Sequence, residues 1–387
     1  MVIGIPKEIM QGEKRVSGIP ETVKRMVADG FEVLVEKGAG VDSHYPDADY
    51  VAAGAKIVDD PEIIYRESDI ILKVKEPQFN VKKGKHEIDM MHAGQYLITF
   101  LHPAAPGNHE MIRGLAEKSV VGLTLDSIPR ISRAQNMDAL SSMSTCAGYK
   151  GVLLAANKLS KFMPMIGSAV GMIKPATVLV IGAGVAGLRA IATAKALGAV
   201  VHAADIRPEA AEQAKSLGAK VVELNIPEEL ALSPDKKYAK ALPEEWLEKE
   251  REALREYVAK ADIVIASALV PGRVAPVLIT EEMVKSMQPG SCIVDISVDQ
   301  GGNCELTVPG EEVVCHDVAI VGIKNIPGMI PNASTWMFSN NIYNLLKYLT
   351  KDGKIVLDLN DEIVASILVT KDGKIVHAGT LEAMGLR

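Results

Sequence analysis

Aromatic side chains make up only 4% of this 387-residue chain. That scarcity argues against an aromatic-rich β-sandwich and for α/β packing of small and branched residues. The four cysteines, Cys146, Cys292, Cys304 and Cys315, include no Cys-x-x-Cys pair. They are too few for a disulfide scaffold and wrongly spaced for structural zinc, so they read as reduced thiols in a cytoplasmic protein without a metal site. A basic excess is also missing: 42 Lys+Arg stand against 49 Asp+Glu, for a net charge of −7. Nucleic-acid binders need the opposite sign, so no nucleic-acid partner is expected. No apolar run reaches the ~18 residues of a membrane span. The opening MVIGIPKEIM lacks the basic-then-apolar order of a signal peptide.

What is present is a strand–helix alternation. The length predicts two domains, at about 150 residues each. Apolar runs at Val2–Ile5, Phe31–Glu36, Asp69–Val74, Gln95–Leu101 and Ser119–Thr124 read as strands. Pro20–Asp29, Asp47–Ala53 and Gly107–Glu117 read as helices between them. After a helical segment around Ala147–Phe162, a second series follows at Thr177–Ile181, Val200–Ala204, Ala219–Leu224, Ile263–Ser267 and Ser291–Ile296. Its apolar runs are continuous, as in strands buried on both faces. The predicted fold is α/β: two Rossmann-like doubly wound parallel-sheet domains with a cleft between them. One comprises residues 1–140 plus 328–387 and carries substrate and catalysis; the other, 141–327, binds dinucleotide. The charged stretch EEWLEKEREALREYVAKAD reads as a solvated amphipathic helix, and the polar SPDKKYAKALP before it as a mobile flap. KDGKIV occurs at Lys351 and again at Lys371, each an Asp-Gly hairpin signal, in a tail expected to rejoin the first domain.

The run VLVIGAGVAGLRAIATAKALGAVVHAADIR holds Gly182-x-Gly184-x-x-Gly187 in its full context. A buried strand precedes it, a helix follows, and a second strand ends in Asp205. Gly182 permits the tight turn, Gly184 lets backbone approach a pyrophosphate, and Gly187 lets helix and strand pack closely. The pyrophosphate would rest on the unpaired N–H groups of the helix N-terminus. Asp205 would accept from the ribose hydroxyls and repel a 2′-phosphate, so NAD is the predicted cofactor. Arg207 beside it reads as a surface cation or an adenine neighbour.

Polar groups just past the buried runs are the expected site residues, because parallel sheets bind ligands beyond their carboxyl ends. Each has a plainer reading. His102 could be a structural hydrogen-bonding residue, Lys75 a solvated edge residue sharing a strand face with Lys73, Asp299 a turn opener, and Arg15 a surface cation. Their joint suitability for one reaction weighs the other way. Arg15 can grip a carboxylate through its fork, and Lys75 can hold a carbonyl oxygen. His102 can exchange a proton near neutral pH, and Asp299 can stabilise a cationic iminium.

These residues resemble those of one superfamily: alanine dehydrogenase and the NAD-binding alpha subunit of proton-translocating NAD(P) transhydrogenase. IGIPKE, GEKRV, LKVKEP, the glycine loop, ALVPGRVAPVLIT and VDISVDQGGN carry the resemblance across nearly the whole chain. PRISRAQNMDALSS resembles the Arg-Gln-Asp loop of the transhydrogenases, which implies Arg130, Gln135 and Asp138 around the nicotinamide. The segment with Tyr238-Ala239-Lys240 resembles their flap, and the tail resembles theirs too. Arg15, Lys75, His102 and Asp299 instead resemble the catalytic set of alanine dehydrogenases, as do Asn325 on the substrate side and the Met143-Ser144 pair. Ser144, Val185 and Val298 complete the implied cofactor-binding set.

The two branches need different residues. A transhydrogenase subunit has no substrate carbonyl to activate, so the intact catalytic set ranks the dehydrogenase first. The expected function is NAD-dependent oxidative deamination of a small L-amino acid, alanine to pyruvate by default, and the reverse reductive amination. The alternative is the transhydrogenase alpha subunit, passing hydride to NADP on a partner subunit. The expected partners are an amino or 2-oxo acid, further copies of the chain in a homo-oligomer and, on the alternative, membrane transhydrogenase subunits.

Overall fold

The computed structural model describes residues 1–232, 239–270 and 274–386. The chain divides into two compact units, Met1–Met143 with Gly328–Arg387, and Ser144–Pro327.

The first unit is built on an eight-stranded sheet. Its spatial order is Lys374–Ile375, Leu368–Lys371, Val121–Thr124, Tyr96–Thr99, Ile70–Leu72, Val2–Ile5, Glu32–Glu36 and Lys56–Val58. The strands from Val121–Thr124 to Lys56–Val58 pair in parallel. The second KDGKIV hairpin supplies the two antiparallel edge strands, so the tail rejoins this sheet. The first repeat forms a separate hairpin, Thr350–Lys351 with Lys354–Ile355. The sheet's winding reverses between Val2–Ile5 and Ile70–Leu72. Loops leaving the carboxyl ends of those two strands therefore share a topological switch point, where open α/β sheets bind ligands.

The second unit carries a seven-stranded sheet in the order Lys220–Val221, Val200–Ala204, Thr177–Ile181, Ile263–Ala266, Cys292–Asp295, Val318–Val321 and Glu312–Cys315. Only the last pairing is antiparallel. Alternate residues feed different cores. Val178, Val180, Ile263 and Ile265 pack on one face, while Leu179, Ile181, Val264 and Ala266 pack on the other. Both faces are covered, which accounts for strands that read as unbroken apolar runs. The winding reverses between Thr177–Ile181 and Ile263–Ala266, beside Gly182.

Several elements depart from expectation. The long helix spans Ala139–Lys158, starting earlier because Asp138 caps it through Ser141 N, 2.8 Å, and Ser141 Oγ, 2.6 Å. The run at 219–224 pairs only over Lys220–Val221, being the sheet's outer strand. Lys73 is not a solvated edge residue. Its strand lies in the interior of the sheet, and the side chain is fully buried between Glu8, 3.4 Å, and Glu87, 2.9 Å. The charged helix forms at Glu244–Lys260, with Leu254 and Val258 fully buried and salt bridges along its exposed side. Of the predicted flap, residues 233–238, Tyr238 among them, lie outside the described residues. Its flanks Leu232 and Ala239 form an isolated antiparallel bridge. Among the described residues no helix is long and apolar enough to cross a membrane, and no group of His, Cys, Asp and Glu could hold a metal ion.

Candidate functional site

The glycine loop of the second unit fits a dinucleotide pyrophosphate. Gly182 adopts φ +88°, and a Cβ there would come within 2.8 Å of Ala268 N. A Cβ on Gly187 would overlap the carbonyl oxygen of Gly182. Gly184 is different: its Cβ would meet nothing nearer than Arg207 Nη2, at 4.0 Å. The turn is thus closed at its base and open at Gly184, the position suited to close approach of a ligand. Gly184 begins the helix Val185–Ala196 without a side-chain cap, so no side chain competes for the first N–H groups.

Asp205 stands at the end of the next strand and accepts from Ala183 N, 2.7 Å. Arg207 closes on its carboxylate through Nε, 3.0 Å, and Nη2, 2.8 Å, which places the guanidinium over the glycine loop rather than free in solvent. Sequence reasoning did not single out two further residues here. Gly148, on the helix Ala139–Lys158, is glycine because a Cβ would overlap the carbonyl oxygen of Ala186. Glu250, 5% exposed, is close enough to Asp205 for the two carboxylates to repel. Burial and that repulsion raise its carboxyl to about 7.

The VDISVDQGGN run forms a braced loop. Fully buried Asp295 accepts from Asn303 N, Cys304 N and Thr307 Oγ1, and fully buried Asn303 holds both the N–H and the carbonyl of Ala268. Gly302 sits against Asp295 at φ +84°. On this frame a short 3-10 turn buries Val298 and exposes Asp299. Asn325 adopts φ +54°, and Ser144 is half-buried on its helix.

In the first unit Arg15, Lys75 and His102 all follow carboxyl ends of sheet strands. Arg15 is 3% exposed. Its Nε and Nη2 donate to the two carboxylate oxygens of Glu13, at 2.8 and 2.6 Å, and Nη1 points at Met143 Sδ, 2.8 Å. The fork expected to grip a substrate carboxylate is therefore engaged inside the unit. Arg15 holds Glu13 at about 2 despite burial, and Lys75 lowers it further, so Lys75 lies within electrostatic reach of this pair.

His102 takes an unusual backbone conformation, φ +44°, which the surroundings must enforce. Asp126 does so: one oxygen lies 2.7 Å from Nδ1 and the other accepts the His102 backbone N–H at 2.8 Å. Thr124 Oγ1 donates to the same carboxylate. Burial opposes the charge, but Asp126 raises the imidazole above its ordinary value, with Lys75 opposing and Glu76 assisting. Burial likewise opposes ionisation of Asp126, yet His102 and Thr124 hold it below the usual range. Asp126 was legible only as the acid one turn past the Val121–Thr124 strand. The implied nicotinamide loop shows Arg130 and Gln135 exposed, Ala134 and Met137 buried, and Asp138 acting as helix cap. Arg133, expected near a substrate mouth, is instead tied to Asp361 at 3.0 Å and Glu362 at 3.3 Å.

Two family descriptions match the chain almost end to end. "Alanine dehydrogenase/PNT, N-terminal domain" matches residues 4–147, and "Alanine dehydrogenase/PNT, C-terminal domain" matches residues 151–378. The chain belongs to this family. The alanine dehydrogenases and transhydrogenases in it are oxidoreductases, and so is this chain. It is 43% identical over 379 residues to an NAD(P) transhydrogenase subunit alpha polypeptide of Rhodospirillum rubrum, covering 97% of this chain and 98% of that one. It is 31% identical over 398 residues to the alanine dehydrogenase of Methanococcus maripaludis, covering 100% and 97%. The crystal structure of transhydrogenase from Sinorhizobium meliloti superposes with a TM-score of 0.85 at 38% identity, over 97% of this chain and 100% of that one. Both branches of the alanine dehydrogenase/PNT family bind nicotinamide dinucleotides, which accords with the glycine loop.

Proposed function

We propose that the chain is the dinucleotide-binding alpha component of an NAD(P) transhydrogenase, exchanging hydride with a second nicotinamide dinucleotide held by a partner subunit. The observation that carries this reading is the higher identity to transhydrogenase alpha subunits than to alanine dehydrogenases, over nearly full length on both sides. It reverses the order in which the catalytic residues alone rank the two branches. The state of Arg15 supports it: an arginine whose fork is closed on Glu13 braces its own loop, which a hydride-passing subunit needs more than a carboxylate clamp.

The bound nicotinamide would supply the hydride chemistry. The chain's own residues bind and orient. Open backbone at Gly184 and the uncapped helix would receive the pyrophosphate, with Arg207 adding positive charge. Asp205, with Glu250 beside it, favours ribose hydroxyls over a 2′-phosphate, hence NAD over NADP. Arg130 and Gln135 would meet the nicotinamide end. The hairpin Ile166–Ser168 with Gly171–Ile173, where Val170 is 98% and Met172 73% exposed, suits contact with another chain.

One observation favours the second reading, an amino-acid dehydrogenase. The His102–Asp126 pair beside Lys75 is equipped to move a proton, which hydride exchange between dinucleotides does not require. One assay separates the two. With NADP-binding partner subunits added, hydride passes from NADH to an NADP analogue, and NAD with a panel of amino acids yields no NADH. Turnover of alanine by the chain alone would overturn the proposal.

A further inference from the structure

The loop carrying Arg130 and Gln135 is held by residues far along the sequence. At its centre Arg133 donates through Nη1 to Tyr348 Oη, 2.8 Å, and to Asp361, 3.0 Å, and through Nη2 to Glu362, 3.3 Å. Tyr348 in turn donates to the same Asp361 carboxylate. The other Asp361 oxygen caps the helix Glu362–Ile367 by accepting from Ile363 N, 2.8 Å. One carboxylate thus joins the loop, the long helix Pro331–Leu349 and the tail. A second tie lies three residues on: Asn341 and Asn344 both donate to the carbonyl of Asn136, at 2.9 and 3.2 Å. Ala134 and Met137 are buried in the same segment. The loop is thus anchored to the tail and the long helix, while Arg130 and Gln135 are left exposed.

We propose that Asp361 and Tyr348 are positioning residues, which with Arg133 form a strut fixing the loop so that Arg130 and Gln135 are presented to the nicotinamide end of the dinucleotide. This rests on the reading of that loop as nicotinamide-facing. Preorganised groups lose less freedom on binding, and a loop released from its strut must be ordered by the ligand. Both residues act through Arg133 and touch no ligand themselves. Arg133 is half exposed, so its single ion pair with Asp361 is weak alone. Sharing the carboxylate with Tyr348 and a helix cap makes one geometry preferred.

The test compares two ligands on the intact chain. ADP-ribose reports on the glycine-loop end, and NADH, followed by its own fluorescence, adds the nicotinamide end. Tyr348→Phe and Asp361→Asn should leave ADP-ribose affinity within about twofold of the parent and weaken NADH about tenfold. Arg133→Lys, which keeps the charge and loses the fork, should fall between. The exchange Arg133→Asp with Asp361→Arg should recover most of the loss seen with Arg133→Asp alone. An unchanged ratio of the two affinities in Tyr348→Phe and Asp361→Asn overturns the strut. So does a parallel loss of both affinities with a falling Tm, which marks a merely structural role. Arg130→Ala tests the underlying reading. If it lowers the ratio while the strut variants do not, only the strut falls; if it leaves the ratio unchanged, the loop reading falls and the proposal with it.

Discussion

Gly148 and Ala186 approach so closely that only a hydrogen fits between the Gly148 α-carbon and the Ala186 carbonyl. Ala186 is in the first turn of the helix that follows the glycine loop, so Gly148 sets where that helix begins. Gly148→Ala must push the two helices apart or bend one of them. Overpacking of this kind costs about 1–3 kcal/mol. The expected result is a lower Tm together with weaker ADP-ribose binding. Equal Tm and affinity in parent and variant would mean that the contact yields at no cost and does not position the loop.

The His102–Asp126 pair gives a pH dependence whose sign is fixed. The imidazole is raised in the fold, so its contribution is complete below the ordinary 6.5 and is lost as pH rises through the raised value. The carboxyl is lowered, so its contribution is complete above the ordinary 3.8 and is lost as pH falls through the lowered value. The pair stabilises most between 3.8 and 6.5. Asp126→Asn should bring the His102 pKa down, readable from its ring C–H resonance in an NMR titration. It should also flatten Tm against pH above 6.5. A His102 resonance that titrates identically in both proteins would refute the pairing.

Lys73 is buried between two acids, and removing it strands them. Glu8 also accepts from Val74 N, 2.6 Å, and Glu87 accepts from Tyr65 Oη, 2.6 Å, and Gln78 N, 2.8 Å. Burial, with the neighbouring acids outweighing Lys73, leaves Glu8 raised to about 7. Lys73→Met should therefore cost about 3–5 kcal/mol in urea unfolding. Adding Glu8→Gln and Glu87→Gln should return part of that, because the stranded charges go with them. A single-variant cost under about 1 kcal/mol would show that water reaches the cluster.

What was legible in the sequence follows from range. The strands buried on both faces announce themselves as continuous apolar runs, and the glycine spacing records steric demands between neighbours in sequence. The Asp-Gly repeats identified both hairpins for the same local reason. Lys73 was misread because alternation along a strand says nothing about whether the strand is central or at an edge; that depends on pairing with Val2–Ile5 and Tyr96–Thr99. Asp126, Gly148, Glu250 and Asp361 went unnoticed because each matters through a partner outside its own motif. The ranking of the two family branches failed on another ground. Retention of Arg15, Lys75, His102 and Asp299 shows which groups are present, whereas the Arg15–Glu13 closure that bears on their use is a matter of side-chain geometry.

Glu250 tests the electrostatics beside the glycine loop. Its carboxyl is raised from the ordinary 4.5 to about 7 by burial, then by repulsion from Asp205, with Arg251 acting in the opposite sense. A carboxyl raised in the fold is stabilising in its neutral form below 4.5, and that advantage is lost as pH rises through about 7. Glu250→Gln removes the penalty of ionising in place. Near pH 4 the two proteins should unfold alike; above pH 7 the variant should be more stable, by up to ~3 kcal/mol, from about 1.36 kcal/mol per pKa unit. The same substitution takes a negative charge from beside Asp205. NADP binding at pH 8 should tighten relative to NAD binding, because a 2′-phosphate meets one carboxylate where it met two. Urea unfolding at the two pH values and paired NADH and NADPH titrations read both effects. If the stability difference is the same at both pH values, Glu250 is hydrated and ionised throughout. If stability shifts as expected but the NADPH to NADH ratio does not move, the residue is buried as described and faces away from the ribose.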